Sequence, residues 1–101
     1  MTKKQIKEFL DVLNEQCPEA VLIGNPGKDR ERFIPAIVGF DNNNGQVVYS
    51  REKLIKCYMK TDGMTYEEAV EWIGYNVDRA LAYYAPNQPI IMDDIKMMMG
   101  W

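Results

Sequence analysis

The chain has 101 residues, 47% of them hydrophobic and 27% charged, a balance that supports one modest core over residues 1–101 and excludes both a disordered chain and a pair of domains. Its net charge of −3 argues against direct binding to a nucleic-acid backbone, where clustered lysines and arginines supply most of the affinity. No apolar run nears the ~20 residues of a membrane-crossing helix, and the opening MTKKQIKEFL turns polar too soon for a secretory signal, so a cytoplasmic protein without membrane contact is expected.

The first predicted element is a helix over about 2–16. Ile6, Phe9, Leu10 and Leu13 recur at helical spacing, Thr2 caps the start, and Pro18 ends it. Ala20–Ile23 is a short β-prone run, stopped by the turn residues Gly24-Asn25-Pro26-Gly27. The charged stretch 28–32 reads as a solvated loop. Phe33–Phe40 reads as a strand that Pro35 confines to an edge or a bulge. Asp41-Asn42-Asn43-Asn44-Gly45 is a turn, and Gln46–Tyr49 returns as the partner strand.

Ser50 then caps a helix over about 51–60, with Leu54, Ile55, Tyr58 and Met59 inward and Gly63 as its left-handed stop. Thr65 and Glu68 form a capping box that opens the longest periodic segment of the chain. Tyr66, Ala69, Val70, Ile73, Val77, Ala80, Leu81 and Tyr84 place an apolar stripe along it, which predicts one continuous amphipathic helix from residue 65 to residue 84. Ile90–Met92 is a final short strand, and Asp93 caps a last turn ending in Met97-Met98-Met99-Gly100-Trp101. The resulting fold class is α+β: a three- to four-stranded, mainly antiparallel sheet with three helices packed on it.

The chain contains no histidine. That removes the commonest general base near neutral pH and the commonest metal ligand. Cys17 and Cys57 fall on apolar helix faces and are expected as free thiols. Pro26-Gly27-Lys28-Asp29 resembles a phosphate loop only superficially, because Leu22 replaces its first glycine and Asp29 stands where a hydroxyl would hold magnesium. No catalytic constellation, cofactor or metal site emerges, so the expected role is non-enzymatic.

Two features carry a functional expectation. Asp62, Glu67, Glu68, Glu71 and Asp78 accumulate negative charge that steers a basic partner. Trp72 and Tyr75 fall beside the inward stripe, and such aromatics anchor interfaces because they bury much area with few rotors. The leading candidate surface is therefore Glu67, Glu68, Glu71, Trp72, Tyr75 and Asp78, facing a protein with a basic surface. A second candidate is a site for a nucleotide signal, with Lys28, Arg30 and Arg32 on the phosphates and Tyr49 stacked on the base. A third is self-association, as a homodimer or higher oligomer, which would bury the methionine-rich tail.

Val47-Val48-Tyr49, Lys53-Leu54-Ile55, the run Asp62–Glu71 (DGMTYEEAVE), Tyr75-Asn76 and Pro89-Ile90-Ile91 resemble a family of small bacteriophage and prophage proteins. The likeness covers the C-terminal half, from Val47 to about Met92. It implies an accessory protein acting in the cytoplasm of an infected bacterium, with an anti-defence role as one expectation. It transfers no catalytic residue.

Overall fold

The computed structural model describes residues 1–101. It contains five α-helices and a three-stranded sheet in the order β1-β2-β3. Helix α1 spans Lys3–Gln16. Its Thr2 capping box is closed by Gln5 in both directions, so two otherwise orphaned amide donors are satisfied. Leu10 and Leu13 reach the edge of the core. The one-turn helix α2 (Lys28–Glu31) and a 3-10 turn (Ile34–Ala36) lead into β1 (Ile37–Asp41). Asp41 holds the hairpin turn by accepting from the Asn43 and Asn44 amides, and Gly45 supplies the left-handed φ of +69°. Strand β2 (Gln46–Ser50) returns antiparallel and continues directly into α3 (Arg51–Asp62).

Of two expected strands, one is absent and the other is shortened. In residues 20–23, the Val21 amide donates to the Asn87 carbonyl (3.1 Å) and the Ile23 amide to the Tyr49 hydroxyl (3.0 Å). Those donors satisfy loop and side-chain acceptors instead of a ladder. The predicted strand Phe33–Phe40 is shortened to its second half, because Phe33–Ala36 wind around Pro35 and put Phe33, Ile34 and Ala36 into the interior.

The largest departure concerns the expected helix 65–84. Helix α4 covers only Tyr66–Asn76, and Asp78–Tyr84 continues as a 3-10 helix. At Val77 the backbone leaves ideal helical values (φ −105°, ψ −59°). Beside the break, Arg51 clasps the Asp78 carboxylate with two nitrogens, at 2.9 and 3.3 Å. Ala69, Ile73 and Val77 are buried as expected, but Tyr66, Val70 and Tyr84 are exposed, as is Met59 on α3.

Strand β3 (Ile90–Met92) pairs with β2 in parallel, Val48 opposite Ile90 and Tyr49 opposite Ile91. The sheet is therefore mixed, with an antiparallel hairpin on one side and a crossover through α3 and α4 on the other. Helix α5 (Ile95–Met99) follows. Asp94 occupies its N-cap position, whereas Asp93, the expected cap, binds Arg51.

The core lies between the sheet, α3 and α4. It is centred on Val47, Tyr49, Leu54, Ile55, Ala69 and Ile73, with the Phe33 and Tyr58 rings 4.9 Å apart beside them. Tyr49 is 0% exposed, and burial pushes its phenol up to about 12. The folded state then holds that proton across the interval in which the unfolded chain, near 10, has lost it. Its stabilising share is complete below pH 10 and disappears as pH rises through about 12. Tyr49→Phe strands the buried Ile23 amide and is expected to lower stability by about 1–2 kcal/mol at neutral pH. In urea titrations the gap between wild type and Tyr49→Phe should narrow above pH 10; a constant gap would contradict the assignment.

Candidate functional site

The candidate surface is the outer side of α4. Thr65 caps the helix, its hydroxyl accepting from the Glu68 amide (3.2 Å) while Glu68 Oε1 accepts from the Thr65 amide (3.0 Å). Those bonds hold the Glu68 carboxyl below its ordinary 4.5, and the positive end of the helix favours the same ionised state. From this cap, Glu68, Glu71, Trp72 and Tyr75 follow at helical spacing i, i+3, i+4 and i+7, so they share one face. Together with Met64 and Asn76 they line a shallow depression of about 280 Å³. Glu67 is exposed on the flank of this face, outside the depression.

The two aromatics are held differently. The indole of Trp72 lies 6.5 Å from the buried Tyr58 ring, so one side rests on the core while 45% of the residue remains exposed. Tyr75 is 62% exposed, and the Arg79 guanidinium lies 4.6 Å from its ring centroid. This cation–π contact brings a positive charge to the rim of the acidic stripe. Sequence reasoning missed Arg79, Met64 and Asn76. Arg79 stands four residues after Tyr75, a helical spacing that was the available signal.

Two acids of the expected cluster are not available to a partner. Asp78 is bound to Arg51, and Asp62 to Arg32 at 2.7 Å. The site thus narrows to Glu68 and Glu71 with Trp72 and Tyr75, flanked by Glu67.

The four residues of the nucleotide reading do not form a common site. Tyr49 is buried and hydrogen-bonded to Ile23, so no base can stack on it. Arg32 is held by Asp29 and Asp62 and lies over the Phe33 ring at 4.3 Å. Lys28 is exposed, and Arg30 lines a different cleft.

No family model, curated protein or solved structure matches the chain. No group of three or more His, Cys, Asp or Glu side chains converges as a metal site. Cys17 and Cys57 are free thiols; burial raises Cys57, the opposite of what an activated nucleophile requires. No helix is long and apolar enough to cross a membrane. In the tail only Met97 packs against the core, leaving Ile95, Met98, Met99 and Trp101 exposed.

The Glu68 carboxylate stabilises the cap above its ordinary titration range, and that share is lost as pH falls through its lowered value. A glutamine can keep the hydrogen bond, as Gln5 does in α1, but not the charge. Glu68→Gln is therefore expected to melt below wild type at pH 7, with the difference shrinking as pH falls below 4.5 and vanishing once the folded carboxyl is protonated. Thermal melts across that range check this. A difference independent of pH would assign the cap to hydrogen bonding alone.

Proposed function

We propose that this chain is a phage-encoded, non-enzymatic accessory protein that occludes a basic surface on a host protein in the bacterial cytoplasm, as an inhibitor of a defence system would. The observation that carries this reading is the joint exposure of Trp72 and Tyr75 on the same helical stripe as Glu68 and Glu71. Carboxylates at the rim accelerate and orient the encounter with a basic partner. The indole, already resting on Tyr58, loses little rotamer freedom when the partner covers its open side. Arg79 on Tyr75 adds a positive point to an otherwise negative face, so the matching surface carries an acceptor opposite Tyr75 and cations opposite Glu68 and Glu71.

The phage context comes from the sequence resemblance of the C-terminal half. Binding is favoured over catalysis by where the burial-shifted groups lie. Tyr49 and Tyr58 are core residues, and Cys57 is shifted away from the thiolate.

A tagged pull-down from bacterial lysate with mass identification supplies the partner. Affinity is then measured against salt for wild type, Trp72→Ala and the double variant Glu67→Lys/Glu71→Lys, which leaves the Thr65–Glu68 cap in place. Trp72→Ala should weaken binding at least about tenfold, a hot-spot loss. The double variant should weaken it at low salt and flatten its salt dependence. Salt-independent affinity in wild type, or indifference to Trp72→Ala, would sink the proposal.

A further inference from the structure

The four arginines of the chain are not treated alike. Arg32 and Arg51 each hold two aspartates, and Arg79 lies on an exposed aromatic ring. Arg30 is partly buried and has no carboxylate partner. Its Nε donates to the Gly24 carbonyl at 3.3 Å, and its two terminal nitrogens meet no acceptor in the protein. Asp29 is adjacent in sequence and borders the same space, but it is committed to Arg32 and to the Asn25 amide (2.8 Å). The terminal nitrogens reach solvent and hold no carboxylate, so a bound oxyanion can take both of these planar donors in two-pronged fashion.

Arg30 lines a cleft of about 300 Å³ between the 21–30 segment and the Asp78–Tyr84 helix. Val77, Leu81 and Tyr84 form its apolar wall, and Asn25 and Asn76 add polar groups at its border. The backbone on the Arg30 side of the cleft is a tight, hydrogen-bonded turn. Gly24 has φ +96°, and a Cβ there would stand 3.0 Å from the Arg30 Cα and the Asp29 carbonyl. The Arg30 amide donates to the Asn25 carbonyl at 2.9 Å and closes the turn. The guanidinium is thus presented by a preformed loop beside an apolar surface, the combination that small-molecule sites use. We propose that this cleft binds a small organic oxyanion, a carboxylate or a phosphate monoester borne on a flat apolar body, with Arg30 as its anchor. The site meets the α4 depression only at Asn76 and does not depend on its role.

Amide chemical-shift titrations of the whole chain with phenyl phosphate, benzoate and the uncharged benzyl alcohol test this. Saturable shifts at Ile23, Gly24, Asn25 and Val77 are expected with at least one anion, and none with benzyl alcohol. The tighter of the two anions identifies the head group as phosphate or carboxylate. Arg30→Gln should weaken that anion at least about tenfold without lowering the melting temperature of the unliganded protein. Arg30→Lys keeps the charge without the planar fork and should fall between the two. It also serves as the decisive variant if Arg30→Gln fails to fold. No saturable shift with either anion at millimolar concentration would overturn the proposal. So would equal affinity in the Arg30→Lys variant and wild type, or a melting temperature that falls in Arg30→Gln while anion affinity in the folded protein is retained.

Discussion

The structure turns on the junction where β2 passes into α3. Ser50 is fully buried, and its hydroxyl accepts from the Lys53 amide while donating to Asp94 at 2.8 Å. The next residue, Arg51, binds Asp78 at 2.9 Å and Asp93 at 2.8 Å. Two neighbouring side chains therefore gather three carboxylates from far along the chain. These contacts cap α3, bind the segment where α4 gives way to the 3-10 helix, and tether the end of β3 beside β2. Because the Arg51–Asp78 pair is partly shielded from water, it is worth more than a fully exposed surface pair of the same geometry. The mixed sheet and the interrupted helix are both organised around this point.

The same economy of charge determines which surfaces remain available for recognition. Arginines bind Asp29, Asp62, Asp78 and Asp93. Glu67 and Glu71 are left without an ion pair, and Glu68 is engaged only with its own helix cap. The acidic character of α4 is consequently concentrated in its first two turns, next to the exposed aromatics. Arg30 is the complementary case, a cation left over once the aspartates are assigned. One set of pairings thus leaves an acidic, aromatic depression on α4 and, elsewhere, an apolar cleft in which Arg30 has no carboxylate partner.

Local chemistry was legible wherever a short segment satisfies its own backbone. The Thr2 cap, the Thr65 capping box, the Ser50 cap, the Gly63 stop and the Asp41–Gly45 hairpin each depend on residues within a few positions of one another. All of them stand in the structure. The inward positions Leu54, Ile55, Tyr58, Ala69 and Ile73 were legible for the same reason, because helical periodicity places them regardless of distant partners. The acidic and aromatic residues of the candidate surface could be read as one helical face as far as Tyr75 and no further.

What the sequence determined by itself is therefore the starts of α1, α3 and α4, the hairpin and the core positions Leu54, Ile55, Tyr58, Ala69 and Ile73, all set by interactions of short range. Tertiary structure alone decided that Ala20–Ile23 satisfies loop and side-chain acceptors instead of forming a strand, that β3 lies parallel to β2, and that the long periodic segment breaks at Val77. It also decided which charges are free, since Asp78 and Arg51 are 27 residues apart, and it formed the Ile23–Tyr49 hydrogen bond across 26. Hydrophobic periodicity is blind to pairings at such separations. The physical reason is that a buried hydroxyl, carboxylate or guanidinium takes whichever partner the fold brings within hydrogen-bonding distance, and that choice overrides the propensity of the segment carrying it.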